Sequence, residues 1–215
     1  MSLILNIDTA TEHASICLAD DSQCLSILSN DKQKEHASWL HPALLQALAE
    51  SGKQLSDLDA VGVTTGPGSY TGLRVGMAAA KGLCYALDIP LVGTNTLDAM
   101  AVMGLAEEVD YICPMIDARR MEVYTALYNQ ALEPVLPPCA VILDELLFSS
   151  YLNRAKILFL GNGSRKFEQI VENKNACFKN HIFSALYLLT ITYDKYLKGD
   201  FLELKYTEPF YLKGF

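Results

Sequence analysis

The sequence predicts an α/β protein built from two lobes, each a mixed β-sheet flanked by helices. Half of the 215 residues are apolar, which is enough for a sizeable core and too many for a disordered chain. Strand and helix patterns alternate through the first hundred residues, and the second half repeats two features of the first in the same order. The length suits one large domain or two small lobes.

The first hundred residues indicate three strands, a helix, a strand, a second helix and a short final strand. Residues 60–65 alternate and are rich in β-branched side chains, as strands are, while Leu40, Leu44 and Leu48 recur at helical spacing before Gly52. Antiparallel strands followed by helical crossovers to parallel strands are the ribonuclease-H-like arrangement. The predicted elements are strands over 3–7, 14–19 and 23–28, a helix over 36–51, a strand over 60–65, a helix over 69–87 and a strand over 91–93.

The second half repeats this beginning in a weaker form. In each half an Ile-Asp pair ends the first strand, at Asp8 and at Asp117. In each half a later strand leads into a Gly-x-Gly-Ser turn and a helix, starting at Gly66 and at Gly161. Two features in the same order indicate an internal duplication. Duplicated ribonuclease-H-like lobes are the architecture of the actin, sugar-kinase and Hsp70 group, although a shared fold does not define an activity.

The duplication predicts a first lobe over residues 1–105 and a smaller second lobe over 106–215. Strands are expected in the second lobe over 122–128 and 157–160. The final helix, about 184–198, could pack back on the first lobe, which would blur the boundary between the two.

The charge balance bears on partners. Twenty-five acidic residues against 17 basic residues give a net charge of −8. A polyanion such as RNA would be repelled by the molecule as a whole. Basic residues occur only in scattered pairs, the densest being Lys32/Lys34, Arg119/Arg120 and Arg165/Lys166. A role on nucleic acid therefore requires a partner that holds the RNA.

The sequence gives no sign of membrane insertion or export. No apolar run reaches the length of a membrane span. Asn6 and Asp8 interrupt the first apolar run and no basic stretch precedes it, so we expect no secretory signal. None of the six cysteines pairs at C-x-x-C spacing, which gives no support to a zinc ribbon or a redox motif. We expect a cytoplasmic protein without a cofactor.

The sharpest motif is the Gly-rich segment 66–74. It lacks the Gly-Lys-Ser/Thr of a Walker A loop, but a Gly-rich turn that opens a helix presents N–H groups to an anion. A tight strand-to-helix turn explains the same glycines and is the more common reason for them. The turn after Asp8 occupies the place where nucleotide-binding relatives of this fold contact phosphate, although it has no glycine. The candidate vestigial nucleotide cleft comprises Asp8, Thr9, Gly66, Gly68, Asp117 and Gly161.

Small residues form a stripe along the predicted helix 69–87. Gly72, Gly76 and Ala80 are spaced four residues apart and so share one face. Each interior glycine costs a helix about 1 kcal/mol relative to alanine. Two of them on one face indicate that another backbone approaches closely, either from the same chain or from a partner.

Two histidines near the start of the predicted helix 36–51 are the candidate metal ligands. Helical ligands share a face at spacings of three or four. His36 and His41 are five residues apart, roughly 140° around the helix at 3.6 residues per turn. We therefore predict no metal site.

Four segments together resemble the TsaB (YeaZ) family. They are Ile7 to Glu12, His36 to Pro42, Gly66 to Gly76 and Asp117 to Tyr124, and the ending Glu208 to Lys213 is similar to that of the family. The resemblance implies a paralogue of TsaD, the transferase that completes threonylcarbamoyladenosine (t6A) in tRNA. TsaD carries a His-x-x-x-His metal pair, whereas this sequence has His36 and then Leu40. The resemblance thus implies a non-catalytic scaffold subunit and argues against the older label of peptidase family M22.

The resemblance also implies partners. It implies pairing with a TsaD-like transferase, addition of a TsaE-like ATPase, a homodimer when the chain is alone, and tRNA contact only through the complex. The family pairs through two helices from each partner, here the predicted helices 36–51 and 69–87. The interface residues expected on this basis are His36, Leu40, Leu44, Leu48, Gly72, Leu73, Gly76, Met77 and Ala80. The alternative is an ATP-binding phosphotransferase or ATPase of the same fold, which would need an open cleft at Asp8 and Asp117.

Overall fold

A computed structural model describes residues 2–213 and has the predicted α/β class. It contains two five-stranded mixed sheets. The strands are β1 Leu3–Asp8, β2 Ala14–Asp20, β3 Gln23–Asn30, β4 Ala60–Gly66, β5 Leu91–Asn95, β6 Tyr111–Asp117, β7 Glu122–Asn129, β8 Pro134–Ile142, β9 Ile157–Leu160 and β10 Ala176–Lys179. The helices are α1 His36–Glu50, α2 Tyr70–Leu87, α3 Thr96–Val102, α4 Ser149–Leu152, α5 Ser164–Glu168 and α6 Leu189–Lys198.

The chain divides into two compact units, and the division differs from the predicted boundary after residue 105. Unit 1 comprises Met1–Thr96 and Ser184–Phe210, and unit 2 comprises Leu97–Phe183 and Tyr211–Phe215. The first boundary lies at the start of α3. The segment that carries α6 belongs to unit 1, so this unit is discontinuous in sequence.

The sheet of unit 1 has the order β3-β2-β1-β4-β5. β2 is antiparallel to β1 and to β3, whereas β4 is parallel to β1 and to β5. Every residue of β1 is buried, as expected for a central strand covered on both faces. Leu3, Leu5 and Ile7 point to one face and join the core formed with α1 and α2.

The second face of this sheet is covered by the segment that returns from unit 2. The Ala185 N–H, in a 3-10 turn at Ala185–Leu188, donates to Ser15 Oγ on β2 at 2.7 Å. Lys195 of α6 donates to the Gly93 carbonyl on β5 at 2.7 Å. The predicted final helix is thus a 3-10 turn followed by α6, and it completes the unit that the first hundred residues begin.

Unit 2 repeats the topology of unit 1. Its sheet has the order β10-β9-β6-β7-β8, with β6 antiparallel to β7, β7 antiparallel to β8, and β9 parallel to β6 and to β10. Its core contains a cluster of aromatic rings, in which the Phe159 and Phe167 centroids lie 4.9 Å apart. The internal duplication read from Asp8 and Asp117 therefore corresponds to two sheets of the same strand order.

Candidate partner-binding surface

The two helices that the sequence singled out, α1 and α2, lie side by side on the sheet of unit 1. Their apolar stripes face inward and form the core of this unit, so most of these side chains are covered within the chain. The nine residues predicted to line a partner interface are all buried within this chain: His36, Leu40, Leu44, Leu48, Gly72, Leu73, Gly76, Met77 and Ala80. These positions thus lie mainly on the face that meets the protein's own sheet, although Leu40 also lines the groove between the two helices.

The small residues along α2 allow the turn after β1 to pack closely against the helix within the same chain. A Cβ atom at Gly72 would lie 2.0 Å from the Thr9 carbonyl oxygen, and one at Gly76 would lie 2.3 Å from Thr9 Oγ1. The Thr9 hydroxyl donates to the Gly72 carbonyl oxygen at 2.7 Å. The turn after β1 therefore packs directly against the α2 backbone, which is the first of the two explanations offered for the stripe.

The outer side of the helix pair carries a groove of about 540 Å³. Its floor is formed by the buried residues Leu40 and Ala79. The groove is open at Gly82, because a Cβ atom added there would have no neighbouring atom within 4 Å. None of the lining residues is Asp, Glu, Lys or Arg, in a chain of which 20% of residues are charged. The lining residues are Ala37, Leu40, His41, Val75, Ala78, Ala79, Gly82 and Leu83.

Large apolar side chains extend this surface along both helices. Tyr85 of α2 is 85% exposed, and Leu45 of α1 is 56% exposed. Single exposed apolar residues are ordinary, but exposed apolar side chains on the helices that enclose an apolar groove are typical of a surface that another protein covers. We name the eight lining residues together with Leu45 and Tyr85 the helix-pair surface.

The predicted nucleotide-cleft residues of unit 1 are held by contacts inside that unit. Asp8 is 0% exposed, and its Oδ1 accepts hydrogen bonds from the Ala10 N–H at 3.0 Å and from the Thr64 hydroxyl at 2.9 Å. Burial raises the pKa of Asp8 to about 7, although these two hydrogen bonds act in the opposite direction. The turn is closed from the α2 side, because the Ser69 N–H donates to the Ala10 carbonyl at 2.6 Å. Asp8 thus faces the interior of the unit.

The glycines of the same cleft serve tight turns. Gly66 has a φ of +118°, and Gly161, in unit 2, has a φ of +90°. A Cβ atom at Gly68 would lie 2.2 Å from the Ala10 carbonyl oxygen, and one at Gly161 would lie 2.5 Å from the Met115 carbonyl oxygen. These positions require glycine on conformational and steric grounds, without reference to a ligand.

The aspartate of unit 2 is more open. Asp117 is exposed and its Oδ1 accepts from Lys166 Nζ and from the Arg119 N–H, both at 2.6 Å. The Asp117 N–H in turn donates to Asn162 Oδ1 at 2.9 Å, so the two motifs that the sequence identified in this half lie next to each other.

The two candidate histidines lie in different surroundings. His36 is buried, and burial lowers the pKa of its imidazole, whereas His41 lies in the exposed groove. Among the side chains of residues 2–213, no three His, Cys, Asp or Glu groups lie together in an arrangement that could hold a metal ion. Across the same residues, every helix is too short or too polar to cross a bilayer.

Comparison with known proteins identifies the family. A family model described as TsaD, tRNA N6-adenosine threonylcarbamoyltransferase, matches residues 26–199. The Bacillus subtilis tRNA threonylcarbamoyladenosine biosynthesis protein TsaB is 34% identical over 173 residues, which are 79% of this chain and 75% of that protein. The chain belongs to the TsaB (YeaZ) family.

Further TsaB relatives match over most of their length. The Haemophilus influenzae TsaB is 28% identical over 224 residues, covering 98% of this chain and 93% of that protein. The solved structure of YeaZ from Pseudomonas aeruginosa superposes with a TM-score of 0.84 at 27% identity, and the match covers 99% of this chain and 100% of that one. The TsaB-family segments 66–76 and 117–124 correspond, respectively, to the start of α2 and to the β6–β7 turn.

Apart from Leu40, the groove positions were missed because they lie beside the apolar stripes of the helices and not on them. Val75, Ala78 and Gly82 are small or medium-sized and do not stand out in a hydrophobic pattern. The signal that could have revealed them is the scarcity of charge, since α1 and α2 contain only Glu50, Arg74 and Lys81 as Asp, Glu, Lys or Arg residues.

Proposed function

We propose that this chain is a non-catalytic subunit of the complex that makes threonylcarbamoyladenosine in tRNA, and that it binds a TsaD-like transferase through the helix-pair surface. The observation that supports this most directly is the groove between α1 and α2, whose eight lining residues include no Asp, Glu, Lys or Arg. Burying such a surface against a partner removes apolar area from water without stranding a charge. The proposal places the chain in the cytoplasm, together with the tRNA that the complex modifies.

Two features support a role without catalysis. The spacing at which TsaD has a second histidine holds Leu40, and His36 itself is buried. The turn after β1 is the place where nucleotide-binding proteins of this fold contact phosphate, and here its Asp8 is enclosed and hydrogen bonded to Ala10 and Thr64. We further propose that a TsaE-like ATPase joins the pair, and that the chain forms a homodimer through the same groove when no transferase is present.

The alternative, an ATP-binding phosphotransferase or ATPase, has weaker support. The Thr9 hydroxyl already donates a hydrogen bond to the Gly72 carbonyl oxygen, and the turn that carries Thr9 packs against the α2 backbone. ATP binding would require this turn to open. Calorimetric titration of the isolated chain with magnesium ATP tests the alternative, and tight binding would favour it over the scaffold.

Co-purification with the TsaD-like protein of the same organism tests the proposal. Ala78→Arg and Gly82→Arg each place a long charged side chain in the groove, at positions exposed to solvent. Ala49→Arg is the matched control, because Ala49 is an exposed alanine of α1 that does not line the groove. We expect the wild-type chain and the control to bind the transferase, and both groove variants to bind at least about tenfold more weakly, a loss of about 1.4 kcal/mol.

The outcomes separate clearly. Equal binding by all four chains would place the interface elsewhere. Absence of any complex with the wild-type chain would refute the scaffold proposal. Size-exclusion chromatography of the isolated chains adds a second reading, since the two groove variants should run as monomers while the control remains a dimer.

A further inference from the structure

The turn between β6 and β7 has an unusual backbone. Arg119 and Arg120 have φ values of +69° and +51°, so two consecutive residues with long side chains adopt a left-handed conformation. Glycine and asparagine are the usual occupants of such positions, because a Cβ atom is unfavourable there for most other residues. Backbone strain of this kind is concentrated at functional sites. The strained backbone therefore indicates that the side chains of this turn have a function.

A network of hydrogen bonds fixes the backbone of the turn. Lys166 Nζ donates to Asp117 Oδ1 and to the Arg120 carbonyl oxygen, each at 2.6 Å. The Arg119 N–H donates to the same carboxylate oxygen, and the Ala118 N–H donates to the Glu122 carbonyl oxygen at 3.0 Å. The charge of Lys166 is thereby used within the protein to neutralise Asp117. The network holds the two arginines in the strained conformation but does not engage their side chains.

The guanidinium groups remain open to solvent. Arg119 and Arg120 are exposed, and within residues 2–213 neither guanidinium group forms an ion pair or a hydrogen bond. Arg165, on the short helix that carries Lys166, is also exposed and is likewise unpaired among these residues. The nearby Glu122 is already paired with Lys213. Three positive charges without a partner among the described residues thus lie on this turn and on the short helix whose Lys166 contacts it, in a chain whose net charge is −8.

We infer that Arg119 and Arg120, supported by Arg165, bind backbone phosphates of the tRNA on which the complex acts. This inference rests on the proposed function. A guanidinium group donates two parallel hydrogen bonds to a phosphate, which makes arginine suited to this contact. Phosphates lie on the outside of a folded RNA, where a projecting turn can reach them, and such contacts position the RNA without reading its sequence.

The acidic charge of the chain fits this role. The chain alone would repel RNA at long range, so the turn contributes only when a partner holds the tRNA nearby. An acidic protein face is the other possible occupant. It is less favoured, because it would have to present several carboxylates to a projecting turn, whereas RNA offers phosphates all along its surface.

The double substitution Arg119→Asn with Arg120→Gly tests the inference. It removes both charges and introduces residues that tolerate the left-handed backbone. We expect the melting temperature to stay the same or to rise by about 2–4 °C, because strain is relieved. Arg154→Asn is the control, since Arg154 is also exposed and unpaired within the described residues but lies in the segment between α4 and β9.

The measurement is binding of unmodified tRNA to the complete complex between about 50 mM and 200 mM salt, the range over which phosphate contacts lose most affinity. We expect the double variant to bind at least about tenfold more weakly at the low-salt end. Its plot of log affinity against log salt concentration should be shallower by roughly two, one for each lost phosphate contact. The control should match the wild-type complex in both respects.

Three outcomes would overturn the inference: unchanged affinity and salt dependence, an equal loss in the control, or failure of the double variant to join its protein partners. The last would assign the turn to an acidic protein instead. Failure of the proposed function would be visible earlier, as absence of the wild-type complex. That result would overturn the inference together with the proposed function, because the turn is expected to contact tRNA only within the complex, whereas a wild-type complex whose tRNA binding is unaffected by the double substitution would overturn the inference alone.

Discussion

The turns after Asp8 and after Asp117 occupy the same place in two sheets of the same strand order, yet their environments are opposite. Asp8 is fully buried and has a pKa raised by burial to about 7. Asp117 is exposed, pairs with Lys166 and supports a turn of two open arginines. One copy of the duplicated motif has become part of a core, and the other has remained at the surface.

The helix that follows each Gly-x-Gly-Ser turn accounts for the difference. In unit 1 this helix is α2, which is 18 residues long and brings Gly72 against the carbonyl of Thr9. In unit 2 it is α5, which is five residues long and contributes Lys166 to the turn. The same short motif can therefore give a sealed or an open turn, depending on the length of the helix packed beside it.

The largest expected effect comes from forcing the sealed turn open. In Gly72→Ala the new Cβ would lie 2.0 Å from the Thr9 carbonyl oxygen, which belongs to backbone and cannot move aside freely. We expect a loss of about 3 kcal/mol or more in the free energy of unfolding, measured by urea denaturation. Gly82→Ala on the same helix is the control and should stabilise by about 0.5–1 kcal/mol, since its Cβ meets open space. Equal effects of the two changes would show that Thr9 does not pack against α2 in this way.

A smaller effect is expected from removing the buried acid. Because the folded pKa of Asp8, about 7, lies above its ordinary value of 3.8, the folded state keeps a proton that the unfolded state has lost. The stability due to Asp8 is therefore complete below about pH 4 and declines as the pH rises to about 7. We expect Asp8→Asn, which can accept the same hydrogen bonds, to be more stable than the wild type by about 1–3 kcal/mol at pH 8 and similar to it at pH 4.

The control for this pH profile is Asp88→Asn, a substitution at the exposed position that ends α2. When the free energy of unfolding from urea denaturation is plotted against pH, the curve for Asp88→Asn should run parallel to that of the wild type. A parallel curve for Asp8→Asn as well would mean that Asp8 ionises in the folded protein as it does in the unfolded chain.

The smallest effect is expected at the open turn. Lys166→Met removes a partly exposed ion pair and one hydrogen bond to the Arg120 carbonyl. We expect a loss of about 0.5–1 kcal/mol at low salt and less at about 1 M salt, where ions screen the pair. Lys174→Met, at an exposed position without an ion pair in the described chain, should change stability by no more than a few tenths of a kcal/mol. A loss at Lys166 as large as that at Gly72 would remove the distinction between the two turns.

Much of unit 1 could be predicted from the sequence, because its strands and helices have clear periodicity. The predicted strand 60–65 and helix 69–87 differ from β4 and α2 by a single residue each. The surface of the helices could not be predicted in the same way. α1 has apolar residues on its outer side as well as its inner side, for example Leu45 and Leu44, so the pattern alone does not identify the side that meets the sheet.

Unit 2 was harder to predict for a different reason. No strand is predicted over 134–142, where the structure has β8, and its residues Pro134, Pro137 and Pro138 are unusual in a strand interior. β8 lies at the edge of its sheet, where a missing N–H is tolerated. The four-residue strand β10 is too short to show a period. The groove and the strained arginine turn depend on contacts between segments distant in the sequence, which a local pattern does not specify, although the scarcity of charge in α1 and α2 points to the groove.

The discontinuity of unit 1 has a consequence for synthesis. Translation is vectorial, and the strands β1 to β5 leave the ribosome before any residue of unit 2. Their sheet must nevertheless wait for Ser184–Phe210, because only then does the Ala185 N–H reach Ser15 and α6 reach β5. The unit that is begun first is completed last. A nascent chain therefore carries one uncovered sheet face throughout the synthesis of unit 2, and the Ser15 hydroxyl and the Gly93 carbonyl on that sheet wait for their partners until Ser184–Phe210 has been made.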